Sequence, residues 1–280
     1  MNAQLIINAD DYAISPGVSR AIRSLIAAGR VTATSCMTGS EFWPADGAVL
    51  RDLNDAGFSA GLHITLTDQQ ACVATPTLAP AGKLPSLRRL WRGLRTGKIS
   101  RADIEVEVCA QIERFQDIFR ASPGHIDGHH HVQQLPVVRD VILDLWRDGT
   151  IPADTWLRVS ADSAARILRR RTDPLKAIFI AAAGAGLRAA AEQRGIPVND
   201  GFAGVYDLQP DADFASVCRR ALAVPAPRMV FMCHPGHADR ELAGKDSVTY
   251  QRDVEFRFLI DDEFQSLLNG FGGRVVSRFG

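Results

Sequence analysis

The chain lacks the cysteine pattern of a stapled fold. Its five cysteines stand at positions 36, 72, 109, 218 and 233, an odd number with no CxxC pair, which excludes a zinc knuckle, a dithiol redox motif and a disulfide framework. They read as small buried hydrophobes in a reducing compartment. Charge of one sign is also missing: Lys plus Arg and Asp plus Glu each number 32 in 280 residues, so no global field recruits nucleic acid or an anionic membrane, and small or neutral partners fit better. No apolar run reaches the roughly 18–20 uninterrupted residues a membrane span needs. The nearest, AIFIAAAGAGLRAAA, carries an arginine. The start, MNAQLIINADDY, meets acid early and has no signal-like apolar stretch, so a cytoplasmic protein without a transmembrane segment is expected.

What is present is a chain that is 46% hydrophobic and 23% charged, ordinary for a folded protein with a sizeable core. Short apolar runs alternate with amphipathic stretches throughout. QLIIN is followed by SPGVSRAIRSLIAAG, in which Ser15 is positioned as N-cap, Pro16 opens the helix and Gly29 stops it. VTATSCM and SAGLHITL read as the next strands, with PADGAVLRDLNDAG as the helix between them. Residues 67–98 suggest a long loop with a short helix around LRRLWRGLR, where Trp91 is expected to pack inward. ADIEVEVCAQIERFQDIF has helical apolar spacing. A strand over 125–132, the helix PVVRDVILDLWRDG, a strand TWLRVS, a long helical region over 162–193, a short strand within 196–205, the strand MVFMCH and a closing RVVS follow.

Repeated β then α units imply parallel strands with helices outside. No glycine-rich phosphate loop follows the first strand, which removes a dinucleotide fold. No repeat or linker divides the chain. Residues 1–280 are therefore expected to form one irregular, TIM-barrel-like β/α barrel domain.

In such barrels chemistry sits at the C-terminal ends of strands, and the conspicuous polar residues fall there. Asp10 and Asp11 end the first strand, His63 lies late in the third, HIDGHHHV (125–132) covers the fourth, Arg158 lies in the fifth and His234 ends the seventh. All seven histidines belong to these places. Period-two alternation would set His125, Asp127, His129 and His131 on one face and His130 on the other. Three imidazoles and a carboxylate on one face make poor core but a natural surrounding for a divalent metal. Adjacent carboxylates in NADDY can divide labour, one binding metal and one serving as base, although a turn with an N-cap pair would look the same. His63 alone, between Leu62 and Ile64, would be a core histidine. His234, in CHPGH, is placed to act as a general acid, and Arg158 could equally be a structural ion pair.

Together, NADDY, GLHITLT, HIDGHHHV and CHPG, in this order and spacing, resemble the YdjC or ChbG/HpnK-like carbohydrate deacetylases over nearly the whole chain. The resemblance implies an irregular β/α barrel with one divalent metal that removes acetyl from N-acetylated sugars, chitooligosaccharides and a hopanoid lipid precursor among them. It also implies Asp11, His63 and His129 as metal ligands, Asp10 as base and His234 as acid. From charge and strand face rather than from the resemblance, Arg158 is expected to hold Asp10 ionised, and His125, Asp127 and His131 to surround the metal or substrate. Tyr12 departs from the Phe of many members, and Gln133-Gln134 from a further His. The ligand set suits Zn, Mn, Co or Ni by its nitrogens, whereas the family is associated with Mg. Partners are then an N-acetylated sugar or glycolipid and no nucleic acid, with the chain alone or as a homodimer. Two other readings stay open: a different metal-dependent barrel hydrolase, such as a phosphoesterase or amidohydrolase, and a silent sugar- or lipid-binding protein. The basic loop 83–98 could stack on sugar or touch a membrane, and the apolar segment 175–191 could shelter a lipid tail.

Overall fold

In the computed structural model, which describes residues 3–53 and 57–280, strands and helices alternate as the apolar patterning requires. β1 (Gln4–Tyr12), β2 (Ala33–Cys36), β3 (Ser59–Ile64), β4 (His125–Gly128), β5 (Trp156–Leu157), β6 (Gly201–Ala203) and β7 (Arg228–Cys233) form one sheet in the order β5-β4-β3-β2-β1-β7-β6, with β8 (Arg274–Val275) beside the start of β1. Every strand pairing is parallel. The edge strands β5 and β6 do not pair directly. Instead Leu157 bridges Val198, and Asn199 accepts from the Val159 amide and donates to the carbonyls of Val159 and Gly201. The sheet thus curls into an irregular β/α barrel stitched at one seam.

Helices cover the outside: α1 (Pro16–Ala27), α2 (Trp43–Arg51), α3 (Leu87–Arg95), α4 (Arg101–Phe119), α5 (Pro136–Arg147), α6 (Ala164–Arg170), α7 (Pro174–Glu192), α8 (Phe214–Ala223), α9 (Arg240–Ala243), α10 (Tyr250–Ile260) and α11 (Asp262–Asn269). The Ser15 hydroxyl accepts from the Val18 amide to cap α1, and Gly29 follows its end with φ +66, a conformation that glycine adopts without strain. Residues on β1 divide by parity. Leu5 and Ile7 pack outward under the helices, while Ile6 packs inward with Ala33, Trp156, Phe202 and Val230 to plug the barrel floor. Towards the C-terminal ends the inward positions turn polar: Asn8 and Asp10 on β1, Ser35 on β2, His63 on β3, Asp127 on β4. An apolar floor beneath a polar mouth is the gradient that an active site at this end requires.

The structure corrects several expected boundaries. The helical region over 162–193 is two helices, because Arg171 and Asp173 adopt left-handed backbone (φ +55 and +61) and Pro174 opens a new helix whose amide at Lys176 is capped by Asp173. The strand over 125–132 stops at Gly128 and a 3-10 helix takes over from His129 to Gln134. Trp91 faces outward, 47% exposed, with the Arg95 guanidinium stacked on it at 4.5 Å. The end of the expected second helix, residues 54–56, lies outside the described residues.

Candidate metal centre

Neighbouring residues on a regular strand face opposite ways, so Asp10 and Asp11 can reach one mouth only if β1 breaks its pleat. It does. Asp11 has φ +68 and Ala13 φ +72, and the pairing of β1 with β2 slips between Ala9 and Tyr12. Aspartate tolerates the left-handed region better than most side chains do. The bulge turns Asp11 into the mouth, where the Arg252 guanidinium of α10 donates to its Oδ2 at 2.6 Å and to Asp246 at 2.5 Å.

That leaves Asp11 Oδ1 free to face two imidazoles. His63 Nε2 lies 3.2 Å and His129 Nδ1 3.0 Å from it, all three buried. On its far side His63 Nδ1 meets Asp127 Oδ1 at 2.6 Å. A carboxylate can only accept, so Nδ1 carries a proton, and Nε2, which also faces a carboxylate oxygen, either donates a second proton to Asp11 Oδ1 or presents its lone pair to a cation held there. Electron-pair donors converging on one point repel unless a positive charge lies among them. Burial pushes the His63 imidazolium down, but Asp127 and Asp11 outweigh it and raise its pKa to about 10, which marks this as a place where positive charge is held. Burial likewise pushes the Asp11 carboxyl up, and Arg252 and His129 more than reverse it, so Asp11 stays ionised. Leaving Glu255 aside, four carboxylates (Asp10, Asp11, Asp127, Asp246) here meet two guanidiniums (Arg158, Arg252). When a cation takes the place of the extra ring proton and the rings are neutral, two negative charges remain for a divalent ion to cancel. The donor set Asp11, His63 and His129 therefore fits a metal ion.

A second group, Asp10, His63 and Asp127, is equally close but its carboxylates are already engaged. Arg158 grips Asp10 through both oxygens (2.6 and 2.8 Å) and reaches Asp127 Oδ2 at 2.7 Å, while Asn8 donates to Asp10 at 2.6 Å and Ser35 to Asp127 at 2.5 Å. Burial would raise both carboxyls, and Arg158 holds both below the usual range. Asp10 is thus a clamped anion beside the donor triad.

His234 follows β7 and sets Nε2 4.0 Å from Asp10 Oδ2. Burial lowers its pKa despite Asp11 and Asp10, so its resting form is the neutral ring. Its backbone amide donates to Glu255 Oε2 at 2.5 Å, and the Tyr206 hydroxyl donates to the other oxygen. Burial pushes Glu255 from an ordinary 4.5 up to about 7, against the pull of those donors. The folded chain thus binds this proton more tightly than the unfolded chain. The associated stability is full below pH 4.5, is lost as pH rises through 7, and amounts to about 3 kcal/mol at most. Glu255→Gln loses one acceptor at every pH, so its deficit against the parent should shrink by about 2–3 kcal/mol between roughly pH 5 and 8. Urea titrations at the two pH values check this, and a constant deficit rejects it.

The expected common face of His125, Asp127, His129 and His131 holds only as far as Gly128, because His130 and His131 are left-handed (φ +55 and +57) and alternation ends there. His125 lies deeper than the mouth. Its ring stacks on Trp156 at 4.7 Å, contacts Ser35, and crosses Gly61, where a Cβ would lie 2.3 Å from the ring. His131 bonds Ser160 at 3.1 Å and meets the edge of Phe202, and burial with the Arg158 cation pushes it down to about 3. His130, expected to point away, packs on His129 at 4.0 Å and bonds Thr67 at 2.9 Å. Arg252, Asp246, Glu255, Tyr206, Asn8 and Ser35 were not anticipated. Asn8 and Ser35 had a usable signal, the parity of Asp10 on β1 and a polar residue inside an apolar strand. Beside the mouth, after β2 and β3, a polar groove of about 790 Å³ is lined by Ser40, Glu41, Asp68, Arg114 and Lys245 among others.

A family model described as YdjC-like protein matches residues 4–270. The carbohydrate deacetylase of Geobacillus stearothermophilus is 30% identical over 257 residues, covering 91% of this chain and 89% of that protein. The chitooligosaccharide deacetylase of Enterobacter sp. (strain 638) is 33% identical over 138 residues, 49% of this chain and 53% of that protein. With the chitooligosaccharide deacetylases of Enterobacter, Escherichia fergusonii and Proteus mirabilis, the chain spans just over half the length of each relative, 53%, 55% and 57%. A solved structure from Enterococcus faecalis V583 superposes with TM-score 0.75 at 20% identity, over 99% of this chain and 98% of the other, and shares the fold.

Proposed function

This chain belongs to the YdjC-like family, and from that membership we propose that it is a metal-dependent deacetylase, hydrolysing the acetamide of an N-acetylated sugar or sugar-lipid. The carrying observation is the convergence of Asp11 Oδ1, His63 Nε2 and His129 Nδ1 beside a clamped Asp10. The names of the relatives give the reaction class. Asp11, His63 and His129 would hold one divalent ion, Mg, Zn, Mn, Co or Ni, which supplies Lewis-acid polarisation of the amide carbonyl and acidifies water.

The chain's own residues do the rest. Arg158 keeps Asp10 ionised, so a carboxylate is always ready to take the proton of the attacking water. His234 Nε2, 4.0 Å from Asp10 Oδ2, is placed to pass a proton to the departing sugar nitrogen. Because its resting form is neutral, it must first receive that proton, and Asp10 is the nearest source. The Glu255 carboxylate, bonded to the His234 backbone amide, fixes where the ring stands. The adjoining polar groove has room for further sugar units.

Acetate release from N-acetylated chitooligosaccharides and from N-acetylated glycolipids tests the reading. Release should require an added divalent cation and stop with chelator. No release from either class with any of the ions named above refutes it. His234→Gln should retain one cation per chain and lose about 10²–10⁴ in kcat. Loss of the cation in that variant would instead make His234 a ligand.

A further inference from the structure

The outer face of α6 and α7 is unusual for a chain whose charges balance. From Ala164 to Glu192 lie Arg166, Arg169, Arg170, Arg171, Lys176 and Arg188 against Asp173 and Glu192, six basic residues and two acidic, of which Arg170 is buried. Alongside them the surface is apolar: Leu175 is 83% exposed and Phe179 77%, with Leu168 and Ile178 also in solvent. By length and composition α7 could cross a membrane, yet it cannot leave the fold, because Leu187 and Ala191 are buried in the core. Its inner face rests on the 3-10 helix that carries His129, with Gln134 donating to the Ile180 carbonyl and lying against Gly184. Arg166 and Arg170 are tied to Asp162, Arg188 pairs with Glu192 at 3.6 Å and Lys176 donates to the Tyr206 carbonyl, whereas among the described residues the Arg169 and Arg171 side chains have no hydrogen-bond or ionic partner. A groove of about 570 Å³ between the two helices is floored by Ala164, Ile167, Ile178 and Ala182, and its charged rim pairs Arg166 and Arg188 with Asp162, Glu192 and Asp200.

Exposed large apolar side chains beside unpaired arginines fit a surface that is apolar below and anionic above. A second copy of this chain would bring the same cationic rim against itself, which opposes an isologous pairing. We propose that α6 and α7 dock the protein on an anionic lipid bilayer. Leu175 and Phe179 enter the boundary between headgroups and acyl chains, and Arg169 and Arg171 meet lipid phosphates. α7 lies in the plane of the interface, and the mouth it walls is held close to the lipid surface.

The test is co-sedimentation of the full chain with vesicles of phosphatidylglycerol mixed with phosphatidylcholine, against phosphatidylcholine alone. Binding should favour the anionic vesicles and weaken as salt rises. Leu175→Ser/Phe179→Ser, at exposed positions that leave the melting temperature unchanged, should weaken it more than about tenfold. Arg169→Gln/Arg171→Gln should weaken it about fivefold per arginine. Acetate release from a soluble oligosaccharide should be the same in parent and variants. Vesicle binding needs no substrate, so the docking and the proposed deacetylation fail separately. Equal binding to both vesicle types, or parental binding by either double variant, overturns the proposal. So does a concentration-dependent dimer that only Leu175→Ser/Phe179→Ser dissolves, since the face would then be a protein interface.

Discussion

Asp11→Asn is expected to eliminate cation binding together with catalysis while leaving the fold intact. Asp11 Oδ1 is the point from which both His63 Nε2 and His129 Nδ1 are measured at 3.2 and 3.0 Å, so it is the hub of the donor set. Its Oδ2 is already taken by Arg252, which shares its charge with Asp246, so an amide of the same shape can stay seated. The substitution removes the one anionic ligand from a site whose remaining donors are neutral rings. Losing a partner outside the ligand set costs about 10–100-fold in affinity, and losing the anionic ligand should exceed that. Metal content after dialysis and the rise in melting temperature on adding metal both read this directly. His129→Ala should behave alike. If either variant still binds one ion per chain at parental affinity, the ligand set is wrong, and Asp10 and Asp127 become the carboxylates to test.

How far the sequence disclosed this site depends on what held each residue there. Asp10, His63 and Asp127 share the inward parity of their strands, and Asp11 and His234 stand at strand ends, which locates them without tertiary knowledge, although the bulge that turns Asp11 inward goes against parity. Arg252 could not be found this way. It lies on a helix 241 residues from Asp11, in a stretch with no motif, and only the packing of α10 onto the end of β1 unites them. Alternation also misplaced His130 and His131, because a left-handed backbone at both is invisible to periodicity. The break between α6 and α7 is different: Asp173-Pro174 is a cap followed by a helix-opening proline, a legible signal that the apolar run of α7 obscured. Barrel class survived these errors because it rests on the order of β and α units rather than on their ends.

Arg158 connects stability to chemistry, and Arg158→Met should damage both. The guanidinium is fully buried, holds both oxygens of Asp10 and one of Asp127, and lies over Phe202 at 5.6 Å. Methionine preserves much of the packing but strands two carboxylates in a dry site, which costs about 3–5 kcal/mol. The pH dependence should then reverse. In the parent both carboxyls are held low, so their contribution is present above their ordinary pKa and lost as pH falls through the depressed values. In the variant burial is no longer opposed by Arg158, their pKa values rise, and stability is lost as pH increases. Arg158→Met should therefore lie nearer the parent in acid than in mild alkali, as denaturant titrations at two pH values would show. Asp10 should lose its ionised form near neutrality, and kcat should fall with it. Asp127 would hold His63 less firmly, weakening metal binding about 10–100-fold without abolishing it. Arg158→Lys restores charge but not the two-pronged grip, and should recover stability more than rate. Parental stability and an unchanged pH profile in Arg158→Met would show that Asp10 needs no clamp, and the base would have to be sought elsewhere in the mouth.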